Sequence, residues 1–210
     1  MHQRPKHRRT NQPKYVESTC KRLARQKNME IYFELTGLTA LPPDRNYWTL
    51  CNVQDSSDGS EIVQMCNEGF LTKKQFHGVD FSRSIIKQNR KWHPKANWYC
   101  GDWLKVVRGH PEFRPALVYL DTLCFVDRKI ILDVVVSTMS LCPTGTILLV
   151  NGMKNDPRSK TICDPDKLIT NIGNSIGSFE LKKWAKRIRV FDYCGTGKTN
   201  MATFAFHKKD

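Results

Sequence analysis

Asp80, Asp102 and Asp121 each stand just after a short apolar or β-branched run, and the amide- and acid-rich stretch Asn52-Val53-Gln54-Asp55 follows another. Side chains of these types accept hydrogen bonds from hydroxyl and amino groups, and each bond to a charged acceptor contributes about 1.5–3 kcal/mol. Asp80 lies roughly 25 residues beyond the first of these stretches, a separation at which a carboxylate receives both hydroxyls of a ribose. The alternative is that Asp80 caps the next helix, a role for which Ser82 competes. In Gly101-Asp102-Trp103, Asp102 suits the amino edge of a base, with Trp103 or Phe81 as an apolar wall. A tryptophan there serves equally well as core packing.

The elements that must hold these groups follow from the hydrophobic pattern. Residues 16–29 form helical turns with sparse apolar anchors, and Pro42-Pro43-Asp44 breaks the chain ahead of a strand over 47–51. A helix over 59–68 follows, with Asp58 as its N-cap, then a strand over 74–79 and a basic helix from Ser82 to Trp92, ended by Pro94. A strand over 97–100 precedes a short helix. The run 115–120 is apolar throughout and reads as a central strand closed by Asp121. A helix over 127–141, a strand over 146–150 and a helix started by Asp164-Pro165 come next. Strands over 187–193 and 200–207, joined by Gly195-Thr196-Gly197, end the chain. Such alternation means an α/β fold: a mostly parallel seven-stranded sheet, helices on both faces and a C-terminal antiparallel hairpin at or near an edge. Residues 1–14 read as a flexible basic arm and 15–210 as one domain, of which 15–44 are a helical extension. In such sheets ligands bind beyond the carboxyl ends of the strands, where strand order reverses.

The acid closing the second strand, Gly101-Asp102-Trp103 after the third, Asp121 after the fourth and the final hairpin together resemble a divergent class I S-adenosylmethionine-dependent methyltransferase. The resemblance covers roughly residues 45–207 and rests on element order and acid placement. It implies a Rossmann-like fold with S-adenosylmethionine as cofactor. Asn52, Gln54, Asp55 and Gly59 then hold the methionine end, Asp80 the ribose, and Phe81, Gly101, Asp102 and Trp103 the adenine. The first turn departs from the family in carrying the single glycine Gly59 where a glycine-rich run is usual. Asp121 and Lys154 fall where two members of the catalytic set of ribose 2′-O enzymes lie, and are the candidate catalytic pair. The Asp-Pro-Pro-aromatic string of amino-methylating enzymes is absent, since Asp121-Thr122-Leu123-Cys124 stands in its place. Cys124 has no preceding proline and reads as an inert buried thiol rather than a cytosine-attacking nucleophile.

Charge points to the acceptor. Lys and Arg number 34 against 20 Asp and Glu, a net charge of +14. Residues 1–28 hold nine of those cations and the single acid Glu17. Arg8, Arg9, Lys21, Arg22 and Arg25, together with Lys182, Lys183, Lys186 and Arg187 around Trp184, are the candidate nucleic-acid contacts, cations for phosphates and an aromatic ring for bases. RNA is favoured over DNA; a solubilising tail and a solvated charged face are the alternatives. A basic nucleic-acid-binding or scaffolding subunit that has lost methyl transfer is the rival reading, and a protein partner could complete the site.

Eight cysteines lie far apart, with no Cys-x-x-Cys and no zinc spacing, so no metal site is expected and the compartment is reducing, hence intracellular and cytoplasmic. Cys51 and Cys100 sit in apolar runs as small hydrophobes. No run approaches the ~20 apolar residues that span a bilayer, and no membrane partner is expected. Gly195-Thr196-Gly197-Lys198-Thr199 resembles the end of a P-loop, but Asp192 replaces the first glycine and a strand follows instead of a helix, which excludes nucleotide hydrolysis.

Overall fold

The structure is a computed structural model and describes residues 19–52, 54, 60–125, 129–153, 155–156, 161–162, 170–172, 174, 184–194 and 200–209. Strands β1 (Asn46–Leu50), β2 (Phe76–Asp80), β3 (Asn97–Cys100), β4 (Pro115–Phe125) and β5 (Ile147–Met153) alternate with helices. These are α2 (Glu61–Asn67), α3 (Arg83–Trp92), α4 (Trp103–Arg108) and α5 (Lys129–Leu141), and α1 (Thr19–Thr36) precedes them all. A short ribbon, β6 (Asn155–Asp156) and β7 (Thr161–Ile162), stands apart from the main sheet, and β8 (Trp184–Cys194) and β9 (Asn200–Lys208) close the chain. The main sheet has seven strands in the order β3-β2-β1-β4-β5-β9-β8. Strands β1 to β5 pair in parallel, and β9 runs antiparallel to both β5 and β8. The expected architecture holds, with β4 central and the hairpin at the edge.

Each face of the sheet has its own core. On one, Trp48, Val118, Leu120, Leu148, Val150, Phe204 and Phe206 pack with Val135 and Met139 of α5 and Trp103 of α4. On the other, Tyr47, Phe76, Leu117 and Leu149 meet Tyr32 of α1, Ile62 and Met65 of α2 and Ile86 of α3. Strands that bury both faces read as continuous apolar runs, which is why β4 and β5 are evident from sequence.

Several boundaries differ from expectation for local reasons. Helix α1 runs past residue 29, because Ile31 and Tyr32 are buried and Tyr32 packs edge-on against Phe70 at 5.3 Å. It stops at Gly37, whose φ of 74° is left-handed and whose N–H reaches Phe33 O at 2.7 Å. Ser60, not Asp58, caps α2, its Oγ accepting from Val63 N at 3.4 Å; Asp58 lies outside the described residues. The first two residues of the expected second strand, Lys74 and Gln75, belong instead to a 3₁₀ turn over Lys73–Gln75. Strand β4 passes through Asp121 to Phe125, with a break in register between Asp121 and Phe125, so Asp121 sits inside the strand. Cys51 is buried as expected, but Cys100 is exposed, since it ends the outermost strand. The start of the helix expected at Asp164-Pro165 lies outside the described residues; 170–172 and 174 are helical. Lys198 and its neighbours in the terminal turn also lie outside, while β9 follows as a strand.

His77 occupies an aromatic stack near the amino ends of the strands, its ring 4.4 Å from Trp48 and 5.9 Å from Tyr99. Asn97 Nδ2 donates to its Nε2 at 3.3 Å, which leaves Nδ1–H to donate to Tyr99 Oη at 3.1 Å, the neutral tautomer. Burial, aided by His110, pushes the imidazole down to about 4. The unfolded chain therefore binds the extra proton between pH 4 and the ordinary value of 6.5. Stability from neutral His77 is complete above that value and is lost as pH falls towards 4, by up to about 3 kcal/mol. Urea midpoints taken from pH 7 down to 4.5 should fall in the native chain and fall less steeply in His77→Gln; parallel profiles would contradict this assignment.

Candidate active site

The order β3-β2-β1-β4-β5 reverses between β1 and β4, so the crevice expected to hold a ligand opens at the carboxyl ends of those two strands. Asn52, Asp80, Phe81, Gly101 and Asp102 follow β1, β2 and β3 along one side of it, and Asp121, in β4, stands on the other.

On the β2 side, Ser82 is the N-cap of α3, its Oγ accepting from Ile85 N at 3.4 Å. This frees Asp80 from capping. One Asp80 oxygen, Oδ1, accepts from Ser82 N at 2.6 Å, and the other has no partner among the described residues. Partial burial raises the Asp80 carboxyl above its ordinary value, only partly opposed by the Ser82 N–H. Next to it the Phe81 side chain is 72% exposed, which leaves a ring face open to a planar ligand. Gly101 N donates to Asp80 O at 3.0 Å, which draws the ends of β2 and β3 together.

The loop after β1 is held by a residue that sequence reasoning passes over. Asn89 of α3 is fully buried; its Nδ2 donates to Asn52 O at 2.9 Å and its Oδ1 accepts from Gln54 N at 2.8 Å. The signal was available: Asn89 lies three and four residues from Ile86 and Ile85, a polar side chain on the apolar stripe of its helix. Asn89→Ala leaves both loop groups without their buried partner. We expect a loss of about 2–4 kcal/mol of unfolding free energy in urea titration; a variant as stable as the native chain would show that the loop holds itself.

The expected ligand set is only partly assembled. Asn52 is exposed, and among the described residues its backbone oxygen alone is engaged. Gln54 is 3% exposed and its Oε1 accepts from Ile62 N at 3.3 Å, so this side chain anchors the start of α2 and does not face a ligand. Asp102 is the N-cap of α4, Oδ1 accepting from Lys105 N at 3.0 Å, which leaves one oxygen for other work. Trp103 is 3% exposed and its indole N–H donates to Thr138 Oγ1 at 2.8 Å; it is core, with no face left for a base. Asp55 and Gly59 lie outside the described residues.

Across the crevice, Asn151 Nδ2 donates to Asp121 Oδ1 at 2.6 Å. Asn151 is itself buried, and its Oδ1 accepts from Thr203 Oγ1 at 3.1 Å while Thr122 Oγ1 donates to its carbonyl oxygen at 2.9 Å. Three strands, β4, β5 and β9, thus fix the Asp121 carboxylate. Lys154, the other candidate catalytic residue, lies outside the described residues, and so does Cys124 as far as its side chain is concerned.

The comparisons bear on the fold. No protein-family profile matches the chain, and no curated protein matches it in sequence. Among solved structures, the O-methyltransferase from Bacillus cereus in complex with SAH superposes with a TM-score of 0.56 at 13% identity, covering 93% of this chain and 84% of that one. The plantazolicin methyltransferase BpumL in complex with SAH gives 0.55 at 11%, over 90% and 84%. The N-methyltransferase NodS from Bradyrhizobium japonicum gives 0.57 at 8%, over 93% and 100%. The chain has the class I methyltransferase fold. In this methyltransferase fold the hairpin strand β9 enters between β5 and β8, which brings Thr203 beside Asn151.

The expected nucleic-acid contacts divide. Arg22 is exposed on α1, and Lys21 also belongs to that helix. Arg25 is a correction: it is 7% exposed and lies beside Tyr47, whose hydroxyl donates to Glu61 Oε1 in a buried polar cluster. A charge there answers other buried polar groups and cannot reach a phosphate. Trp184 is a second correction, 2% exposed in the core with Lys208 Nζ 5.7 Å from its ring centre. Lys186 and Arg187 are residues of β8; Arg8, Arg9, Lys182 and Lys183 lie outside the described residues. Among the described residues no cluster of metal-ligating side chains occurs and no helix is long and apolar enough to cross a membrane.

Proposed function

We propose that this chain is an S-adenosylmethionine-dependent methyltransferase acting on nucleic acid, RNA in preference to DNA. The observation that carries the reading is the Asp80 carboxylate, half-buried at the crevice with an oxygen that has no partner among the described residues, beside the exposed ring of Phe81. That set of acceptors and ring fits an adenosyl group: Asp80 accepts from the ribose hydroxyls and Phe81 covers the base, with the second oxygen of Asp102 accepting from its amino edge. Two neighbours in the same fold were crystallised with SAH, the demethylated form of that cofactor, which supports the choice. Asn52, with Asp55 and Gly59, takes the amino-acid end, while Gln54 and Asp102 act chiefly as structural caps.

The cofactor supplies an already activated methyl group. What remains for the protein is positioning. Asp121 accepts a hydrogen bond from the N–H or O–H of the acceptor, turning a lone pair of that atom towards the methyl group and holding the proton it gives up. Lys154 assists at the same acceptor. Nucleic acid is favoured by the excess of cations, Arg8, Arg9, Lys21, Arg22, Lys182, Lys183, Lys186 and Arg187 among them.

Transfer of labelled methyl from S-adenosylmethionine into separated RNA, DNA and protein fractions tests the reading. Label in RNA is expected; label confined to protein or small molecules would overturn the acceptor class. A non-catalytic nucleic-acid-binding subunit is the second reading, favoured by the engagement of Gln54 and Asp102 within the protein. Salt-sensitive RNA binding by a chain that takes up no cofactor would select it.

A further inference from the structure

The sequence placed its stacking aromatic at Trp184, which the fold buries. A different tryptophan is left at the surface. Trp92, the last residue of α3, is 43% exposed, and it sits among cations. Arg83, Lys87, Arg90 and Lys91 are all exposed on this helix, Lys95 lies just beyond it, and the helix contains no acidic residue. Among the described residues, Arg83, Lys87, Lys91 and Lys95 meet no carboxylate. Arg83, Lys87 and Lys91 repeat at a spacing of four, so they form one row with successive charges about one helical turn, ~5.4 Å, apart. Like charges at that spacing destabilise a helix by a few tenths of a kcal/mol per pair. No acid on α3 offsets that repulsion, so a bound polyanion would relieve it.

The row also has a direction. The first residue of α3, Arg83, lies three residues beyond Asp80, at the carboxyl end of the sheet. The far end delivers Lys95 to the rim of a groove at the opposite end of the strands, lined also by Lys74, Asn97 and Arg114, with Asp44 and Glu112 as its acids. The apolar residue Ile86 is buried and Ile85 is partly covered, so α3 offers no apolar face for insertion into a bilayer.

We propose that the outer face of α3 is a single-stranded RNA track. Arg83, Lys87, Lys91 and Lys95 contact successive phosphates, and Trp92 stacks on a base near the groove. This rests on the nucleic-acid reading given above and adds to it the surface that guides the strand towards the cofactor end. Cations in a row with a flanking aromatic give sequence-tolerant binding, because every base has a face to stack.

The test uses the full chain, a short fluorescein-labelled RNA of mixed sequence, and anisotropy titrations between 50 and 200 mM salt. Lys87→Gln/Lys91→Gln should bind about tenfold more weakly at low salt, with a log–log salt slope reduced by about 1.4. Trp92→Ala should lose about fivefold or more, and Trp92→Phe, which keeps a ring, should recover most of it. All three change surface positions, so S-adenosylmethionine affinity and thermal midpoint should match the native chain. Native-like RNA affinity in the charge and ring variants would overturn the α3 track while leaving the proposed function standing. A native chain that binds S-adenosylmethionine but no RNA would overturn both the track and the RNA acceptor. Binding through Lys87 and Lys91 to phosphatidylserine vesicles in place of RNA would also overturn it.

Discussion

Asp121→Asn is expected to lower methyl transfer by two to three orders of magnitude while leaving S-adenosylmethionine affinity within about twofold. The side chain keeps its size, so the packing of β4 between β1 and β5 should survive. The change is one of chemistry: the native carboxylate is charged and purely an acceptor, as in its bond from Asn151 Nδ2, whereas an amide offers one oxygen and two competing hydrogens. Asn151 is a positioning residue in the same arrangement, since it is fully buried, donates to Asp121 and is itself held by Thr203. Asn151→Ala should therefore lower kcat with little change in KM for RNA, a split that simple loss of stability does not produce. Single-turnover methyl transfer measures both, and an Asp121→Asn chain with native turnover would remove this carboxylate from the chemistry.

Asp80→Ala is expected to weaken S-adenosylmethionine binding by at least about a hundredfold, the loss of two hydrogen bonds to a charged acceptor. Asp80→Asn should fall between, since an amide oxygen still accepts one of them. The same group sets the pH dependence. Burial raises the folded Asp80 carboxyl above 3.8, so protonation begins at a higher pH than for an exposed aspartate. Affinity should be level through neutral pH and decline in acid, starting above the ordinary carboxylate range; Asp80→Asn should lose that decline. Calorimetric titration at several pH values reads both effects, and an alanine variant that binds as tightly as the native chain would place the ribose elsewhere.

The fold was legible because its strongest signals are local. Runs such as Ile147-Leu148-Leu149-Val150 are buried on both faces, and Ser82 marks the start of α3 by chemistry that needs no tertiary partner. The place of Asp80 at the end of β2 was legible for a related reason: in an α/β sheet of this order the carboxyl end of that strand faces the crevice. Identity alone does not say which way a side chain turns. Trp103 and Trp184 could serve as stacking platforms or as core, and the decision rests with partners elsewhere in the fold, α5 for Trp103 and the packed core of the sheet face for Trp184. Arg25 reads as one more cation of a basic helix until α1 packs on α2 and turns it towards Tyr47. The polar residues that fix the site, Asn89, Asn151 and Thr203, are invisible to a search for charged ligands, because their work is to hold other groups by buried hydrogen bonds. Gln54 shows the converse, a residue of the right type in the right loop whose side chain is already committed to Ile62 N.

In the proposed enzyme the ends of β1 and β2 form a receptor for an adenosyl group. Isothermal titration of S-adenosylmethionine into this chain tests this without any assumption about the methyl acceptor. Saturable binding of one molecule per chain, competed by S-adenosylhomocysteine and lost in Asp80→Ala, is the predicted result. No heat at millimolar cofactor, or binding indifferent to the residue at position 80, would contradict it.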